Sequence, residues 1–368
     1  MGEATTTGLQ YSPDYAVPPG ETLVEVLEKL GMSQAELAER IGRPKKTVNE
    51  IVKGKAAITP ETALQLERAF RIPASFWNNL QRNYDAAVAR LEERERLRQH
   101  LCWLREIPVR AMVARRWIRP FKDRVDQLQE VLAFFGVASP EQWREIWANT
   151  SVAYRMSTAF KSDPGAVAAW LRQGELEAHD IECAAFDKAR FLGVLTQIRA
   201  LTVEPPEVFQ PQLIARCAEA GVAVAFVPQI RGARVSGATR WISPGKALVQ
   251  LSLRYRSDDQ LWFTFFHESA HILLHGKRRI FLEGDVSSGS EAEEEQASSF
   301  AADFLIPPDK LDCLLAEGRP SSQTIQEFAE QVGIAPGVVV GRLQHDHVLP
   351  YSHYNGLKRR FEWATEET

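Results

Sequence analysis

Between Trp262 and His275 the chain runs Trp-Phe-Thr-Phe-Phe-His-Glu-Ser-Ala-His-Ile-Leu-Leu-His, an apolar helical stretch carrying histidines and a glutamate. Burying such groups without partners is costly, so a fold that forms this helix must bring something to them. His267 and His271 stand at i and i+4, about one turn apart on one face, and both imidazoles can reach a single Zn²⁺ ion. Glu268, one residue beyond the first histidine, is placed as the general base toward water acidified by that ion. Ser257 can cap this helix, Asp258 and Asp259 suit the positive end of its dipole, and Gly276 followed by Lys277, Arg278 and Arg279 suits the other end. His275 continues the same face and reads as a helix-terminal histidine answered by the dipole rather than as a fourth ligand.

A catalytic site with three protein ligands needs another donor. A second helix opens at Glu291-Ala292-Glu293-Glu294-Glu295, with Ala297, Phe300, Ala301, Phe304 and Leu305 marking its buried face. At ~100° per residue, Glu293 and Glu294 flank that face almost equally, while Glu291 and Glu295 point away. Periodicity alone leaves two carboxylates open. Upstream, Val222 to Val227 is an apolar run ended by Pro228, Arg234 to Trp241 suits a second strand, and Lys246 to Arg254 alternates. That alternation puts Ala247, Val249, Leu251 and Leu253 on one face and Gln250, Ser252 and Arg254 on the other.

The other end of the chain has a different texture. Ser33 and Glu36 form an S-x-x-E capping box, Leu37 and Ile41 repeat at i and i+4, and Gly42 supplies a C-cap. After a tight turn, Val48, Ile51 and Val52 form an inward stripe that leaves Lys45, Lys46, Thr47 and Asn49 toward solvent. Two short helices joined this way meet the requirements of major-groove reading, with lysines on phosphates and an amide that can pair bidentately with adenine. Thr59-Pro60 starts the next helix with a cap and a proline at its first position.

Composition narrows the rest. The chain has 368 residues, 45% of them hydrophobic and 25% charged, with a net charge of −4, so any nucleic-acid contact must come from a local patch. Cys102, Cys183, Cys217 and Cys313 form no C-x-x-C pair, which argues against a cysteine-built zinc site and suits a reducing cytoplasm. No run approaches the ~18 apolar residues of a membrane span. The expected class is mostly α with a small β-sheet (α+β). Residues 1–20 form a flexible arm, 21–84 a five-helix helix-turn-helix domain, 85–150 a helical linker region, 151–310 a peptidase domain with a short sheet, and 311–368 a helical C-terminal subdomain. The stretch from 106 to about 205 is helical and tryptophan-rich and shows no chemistry. Of the tail's polar rings, among them His345 and Tyr351, no spacing rule selects one.

Residues 18–84 resemble the Xre/HigA-type helix-turn-helix of antitoxins and phage-like repressors. The resemblance rests on Pro19-Gly20-Glu21-Thr22-Leu23, Gly31 to Ala38, Ile58 to Leu64 and Phe76 to Gln81. Pro44 departs from it, standing where the family places a Ser or Thr cap. The resemblance implies binding of double-stranded operator DNA, as a homodimer, through Gln34, Lys45, Lys46, Thr47 and Asn49. Phe263 to Gly276, with Glu294-x-x-Ala297-x-x-Phe300-Ala301 and Phe304-Leu305-Ile306-Pro307, resembles the ImmA/IrrE zinc metallopeptidases. That family's zinc glutamate stands three residues before the alanine, which implies Glu294. Ser298 replaces the family's Asn, a change expected to loosen a ligand's orientation. Together the resemblances imply a cytoplasmic DNA-binding regulator with a Zn²⁺-dependent endopeptidase that cuts a repressor- or antitoxin-type protein in response to a signal, using an edge strand to hold the substrate. The alternative is an antitoxin or repressor whose metal domain senses or scaffolds without cutting.

Overall fold

The computed structural model describes residues 15–148, 163–275, 281–282, 291–316 and 318–364. It divides into two compact units, Met1–Leu101 and Cys102–Thr368.

The first unit is built from five helices: α1 (Pro19–Leu30), α2 (Gln34–Ile41), α3 (Lys45–Val52), α4 (Pro60–Phe70) and α5 (Ala74–Arg98). The local signals act as the sequence indicates. Ser33 Oγ accepts from the Glu36 amide at 3.1 Å, Gly42 ends α2 in the left-handed region, and Thr59 caps α4 ahead of Pro60. Leu23, Leu37, Val48, Ile51, Ala63, Leu66 and Trp77 close a single core. Pro19 and Gly20, read above as the end of an arm, instead open α1. A side chain at Gly20 would press into the carbonyls of Ile51 and Val52, so the missing Cβ lets α1 seat against the end of α3. Helix α5 runs unbroken through residue 84 to Arg98.

The second unit begins with α6 (Val109–Ala114), α7 (Arg124–Phe135) and α8 (Pro140–Trp143), where Trp103, Phe135 and Trp143 meet edge to face. Helices α9 (Pro164–Asp180), α10 (Lys188–Arg199) and α11 (Pro206–Glu219) follow. The mixed sheet comprises β1 (Val222–Phe226), β2 (Gly237–Ser243), β3 (Lys246–Leu251) and a two-residue β4 (Phe281–Leu282), in the order β1-β3-β2-β4. β1 pairs parallel to β3, and β2 pairs antiparallel to both β3 and β4. The expected second strand starts three residues later than read, at Gly237, and β4 has no counterpart in the sequence reading. Helix α12 (Asp258–Leu274) carries the histidines. It is followed by α13 (Glu291–Leu305), α14 (Pro308–Ala316), α15 (Ser322–Val332) and α16 (Pro336–His345).

Two points go beyond the sequence pattern. The two faces between which β3 alternates are both covered. Val249 and Leu251 join the core with Trp262 and Phe265 of α12, whereas Gln250, fully buried, turns toward α9, lies over Gly174 and donates to the Trp170 carbonyl at 2.6 Å. The start of α12 also differs. The Ser257 side chain makes no cap, and Asp258 and Asp259 are buried rather than left to the dipole. Asp258 meets Arg359 at 3.2 Å, and Asp259 meets Lys358 at 2.6 Å. Burial holds the Asp258 carboxyl above its usual range against the pull of Arg359. The C-terminal segment therefore clamps the first turn of α12 through buried ion pairs. Gly276 to Arg279, expected to end this helix, lie outside the described residues.

Candidate metal centre and helix-turn-helix face

In the first unit, α3 presents Lys45 and Lys46 to solvent, with Thr47 and Asn49 half-buried beside them. Lys46 is 84% exposed, and its ammonium lies 3.8 Å from Glu50, too loose a pair to neutralise it. Gln34 sits half-buried at the first position of α2. Pro44 precedes α3 without any side-chain cap, so the first amides of α3 are left for another acceptor. The turn before α3 is fixed from the side: Arg43 bonds Gln65 at 2.9 Å and Glu61 at 2.7 Å.

In the second unit, helical spacing on α12 and the position of α13 bring three donor groups together. His267 Nε2 and His271 Nε2 lie 3.1 Å apart, and the Glu294 carboxylate reaches them at 3.3 and 3.4 Å. Among the described residues, these three form the cluster of His, Cys, Asp or Glu able to hold a metal ion. Glu294, not Glu293, faces the histidines, the choice that periodicity left open. Bonds of ~2.0–2.1 Å to a tetrahedral zinc put neighbouring donors about 3.4 Å apart, so this set fits such an ion without rearrangement. The other ring nitrogens have partners of their own. The Ser298 hydroxyl lies 3.3 Å from His267 Nδ1, and His275 Nδ1 lies 2.9 Å from His271 Nδ1. With each Nδ1 engaged by a partner, both Nε2 atoms can turn a lone pair to the shared point. Burial, together with the rings of His267 and His275, pushes the His271 pKa down to about 2, so His271 stays neutral and able to ligate. His275 thus stands behind a ligand, not beside it.

Glu268 is fully buried under β2. A Cβ on Gly237 would stand 2.9 Å from Glu268 Oε1, and Thr239 Oγ1 donates to the Glu268 carbonyl at 3.0 Å. Gly237 and Thr239 are the site neighbours that motif reading missed, while Ser298, read as a change behind a ligand, stands at His267. A lone glycine at the start of a strand was the available signal, since such a glycine marks close approach of another group.

A helix-turn-helix family model matches residues 23–77, and the IrrE N-terminal-like domain of the M78 peptidases matches residues 233–344, the span that holds His267, Glu268, His271 and Glu294. Virulence-associated protein A of Dichelobacter nodosus is 46% identical over 68 residues, 18% of this chain and 67% of its own length. This chain is a helix-turn-helix family member carrying an IrrE-like domain. An uncharacterized HTH-type transcriptional regulator of Escherichia coli, YddM, is 34% identical over 71 residues, 19% of this chain and 76% of its own. The solved structure of an addiction-module antidote protein of the HigA family from Coxiella burnetii is 35% identical, covering 23% of this chain and 92% of that one, with a TM-score of 0.22. These relatives each cover under a quarter of the chain, so the IrrE-like domain rests on its own family match. Among the described residues, no helix is long and apolar enough to cross a membrane.

Proposed function

We propose that this chain is a DNA-binding regulator whose IrrE-like domain is a zinc-dependent endopeptidase acting on a repressor- or antitoxin-type protein. The observation that carries the reading is the convergence of His267, His271 and Glu294 at 3.1–3.4 Å with a partner on each histidine's Nδ1. A bound zinc ion would supply Lewis-acid polarisation of the scissile carbonyl and acidify water. His267 and His271 would hold it through Nε2, and Glu294 would add the third donor. Glu268, next in sequence to a ligand, takes the proton from attacking water and returns it to the leaving amine. Gly237 leaves room for that carboxyl, but Ala238 and Thr239 beside it are already paired to both β3 and β4, so an extended substrate would be aligned along another edge than β2.

The helix-turn-helix supplies the address. Lys45 and Lys46 hold phosphates, Gln34 and Thr47 fix the register, and Asn49 reads a base edge. With no side-chain cap at Pro44, the amides of Lys45 and Lys46 at the start of α3 can also turn to a phosphate. A relative described as a transcriptional regulator supports this assignment.

The deciding experiment compares wild type with Glu268→Gln, each loaded with Zn²⁺ and incubated with itself and with the products of neighbouring genes. Mass spectrometry should find fragments from wild type alone, at equal metal content. Identical fragment patterns from both proteins would leave a non-cleaving metal domain as the reading.

A further inference from the structure

The stretch that showed no chemistry in sequence contributes most of a basic pocket. Within the second unit, a cavity of about 780 Å³ is lined by Arg105, Arg110, Arg124 and Arg231. Its floor is apolar and includes Ile107 and Pro108. Among the described residues Asp163 is the one carboxylate on its wall, and its Oδ1 already accepts from the Gly165 amide at 2.9 Å as the cap of α9. Acids nearby are committed elsewhere: Glu106 pairs with Arg144 at 3.0 Å and Glu130 with Arg119 at 2.9 Å. Among the described residues, Arg105, Arg110 and Arg231 have no ion-pair partner. Like charges gathered around a concavity repel one another, and an anion bound between them relieves that repulsion.

The pocket is built rather than incidental. Gly232, at φ +101°, accepts from the Asp163 amide at 3.1 Å and fastens the loop after β1 to the start of α9. Gly165 lets α9 seat against the Glu106 carbonyl, which fixes the floor at Ile107.

We propose that this pocket binds a phosphorylated small molecule of nucleotide size, its phosphates held by Arg105, Arg110 and Arg231 and its ring laid on the apolar floor. Guanidinium forks match phosphate oxygens in pairs, and three of them suit more than one phosphate. The volume lies within the ~300–1,000 Å³ of small-molecule sites. A free phosphate would leave most of it empty, and a DNA duplex could touch only its rim. Arg231 and Gly232 belong to the loop that five residues later delivers Gly237 to Glu268, so the ligand bears on the strand beside that glutamate.

The test uses the full-length protein in calorimetric titrations with ATP, GTP, pyrophosphate and adenosine. ATP or GTP should bind saturably, pyrophosphate should compete, and adenosine should not. Arg110→Ala combined with Arg231→Ala should weaken nucleotide binding at least about tenfold, and Arg110→Lys should recover only part of it. These arginines are exposed, so circular dichroism should be unchanged, and Arg190→Ala, an exposed arginine that does not line the pocket, serves as the charge control. Hydrogen exchange should slow at residues 229–234 when nucleotide is added. The proposal falls if none of the three phosphates binds, or if the double variant binds like wild type. It also falls if Arg190→Ala loses as much, or if an unrelated duplex loses affinity in parallel with the nucleotide.

Discussion

The two units place their working residues in opposite ways. In the helix-turn-helix, Lys45 and Lys46 are exposed on one short helix, and the core behind them is apolar apart from Thr62. In the IrrE-like domain, His267, Glu268 and His271 are buried, and their partners come from three other places: α13, the strand at Gly237 and the helix end at His275. An exposed side chain can be removed at little cost to the fold, whereas a buried polar set is stable only when every member is satisfied. On the proposed function, recognition at the first surface is adjustable residue by residue and chemistry at the second is all or nothing.

The largest expected effect tests that contrast directly. His267→Ala or Glu294→Ala should abolish tight zinc binding, measured by elemental analysis of dialysed protein, while Glu293→Ala keeps about one ion per chain. Ser298→Ala should retain the ion but weaken it by about 10-fold or more, because His267 loses the partner that sets its tautomer. Zinc retained in full by Glu294→Ala would mean the donor set is wrong. In every one of these variants operator binding should be untouched.

Acid should separate the units next. His271 is held neutral in the folded state, with its pKa down at about 2, whereas an unfolded histidine titrates near ~6.5. Below that point the unfolded chain binds a proton that the folded chain refuses, so stability is present above pH ~6.5 and is lost as pH falls, by up to about 1.4 kcal/mol per pH unit. Residues 1–99 contain no histidine. Thermal unfolding of the metal-free protein between pH 7 and 5 should therefore lower the transition of the second unit more than that of the first, and His271→Gln should flatten the difference.

Smaller effects belong to the first unit. Asn49→Ala should erode discrimination between operator and unrelated DNA by about 1–3 kcal/mol, while Lys46→Ala weakens both alike and reduces the salt dependence. Gel shifts over a salt series read both. Ser33→Ala removes the cap on α2 and should cost about 1 kcal/mol in denaturant unfolding. A Ser33→Ala loss as large as that of an α12 core variant would mean the first unit lacks the modular core described here.

Legibility followed the same divide. Ser33, Gly42, Thr59 and Pro60 act within their own helices, through bonds three or four residues long, so the sequence pattern and the structure coincide there. Helix α12 was equally legible as a helix, and its histidine spacing as a shared face. Its surroundings were not. Ser257 reads as a cap, yet Asp258 and Asp259 are taken by Arg359 and Lys358 about a hundred residues away, a pairing no local rule reveals. Gln250 reads only as the opposite face of an alternating strand, and the pattern does not show that α9 covers that face as well.

By itself, then, the sequence determined whatever depends on period and punctuation: two helices with a turn between them, two histidines on one face, and a short strand-forming stretch between helical regions. Periodicity left Glu293 and Glu294 equal and the family resemblance implied Glu294; what the tertiary structure adds is the packing of α13 on α12 that turns Glu294 to the histidines. Tertiary structure alone set Gly237 over Glu268 and gathered Arg105, Arg110 and Arg231 around one cavity. The physical reason is common to all three. Distance along the chain fixes local geometry through backbone dihedrals, while contact across the chain depends on which faces the whole core buries against each other.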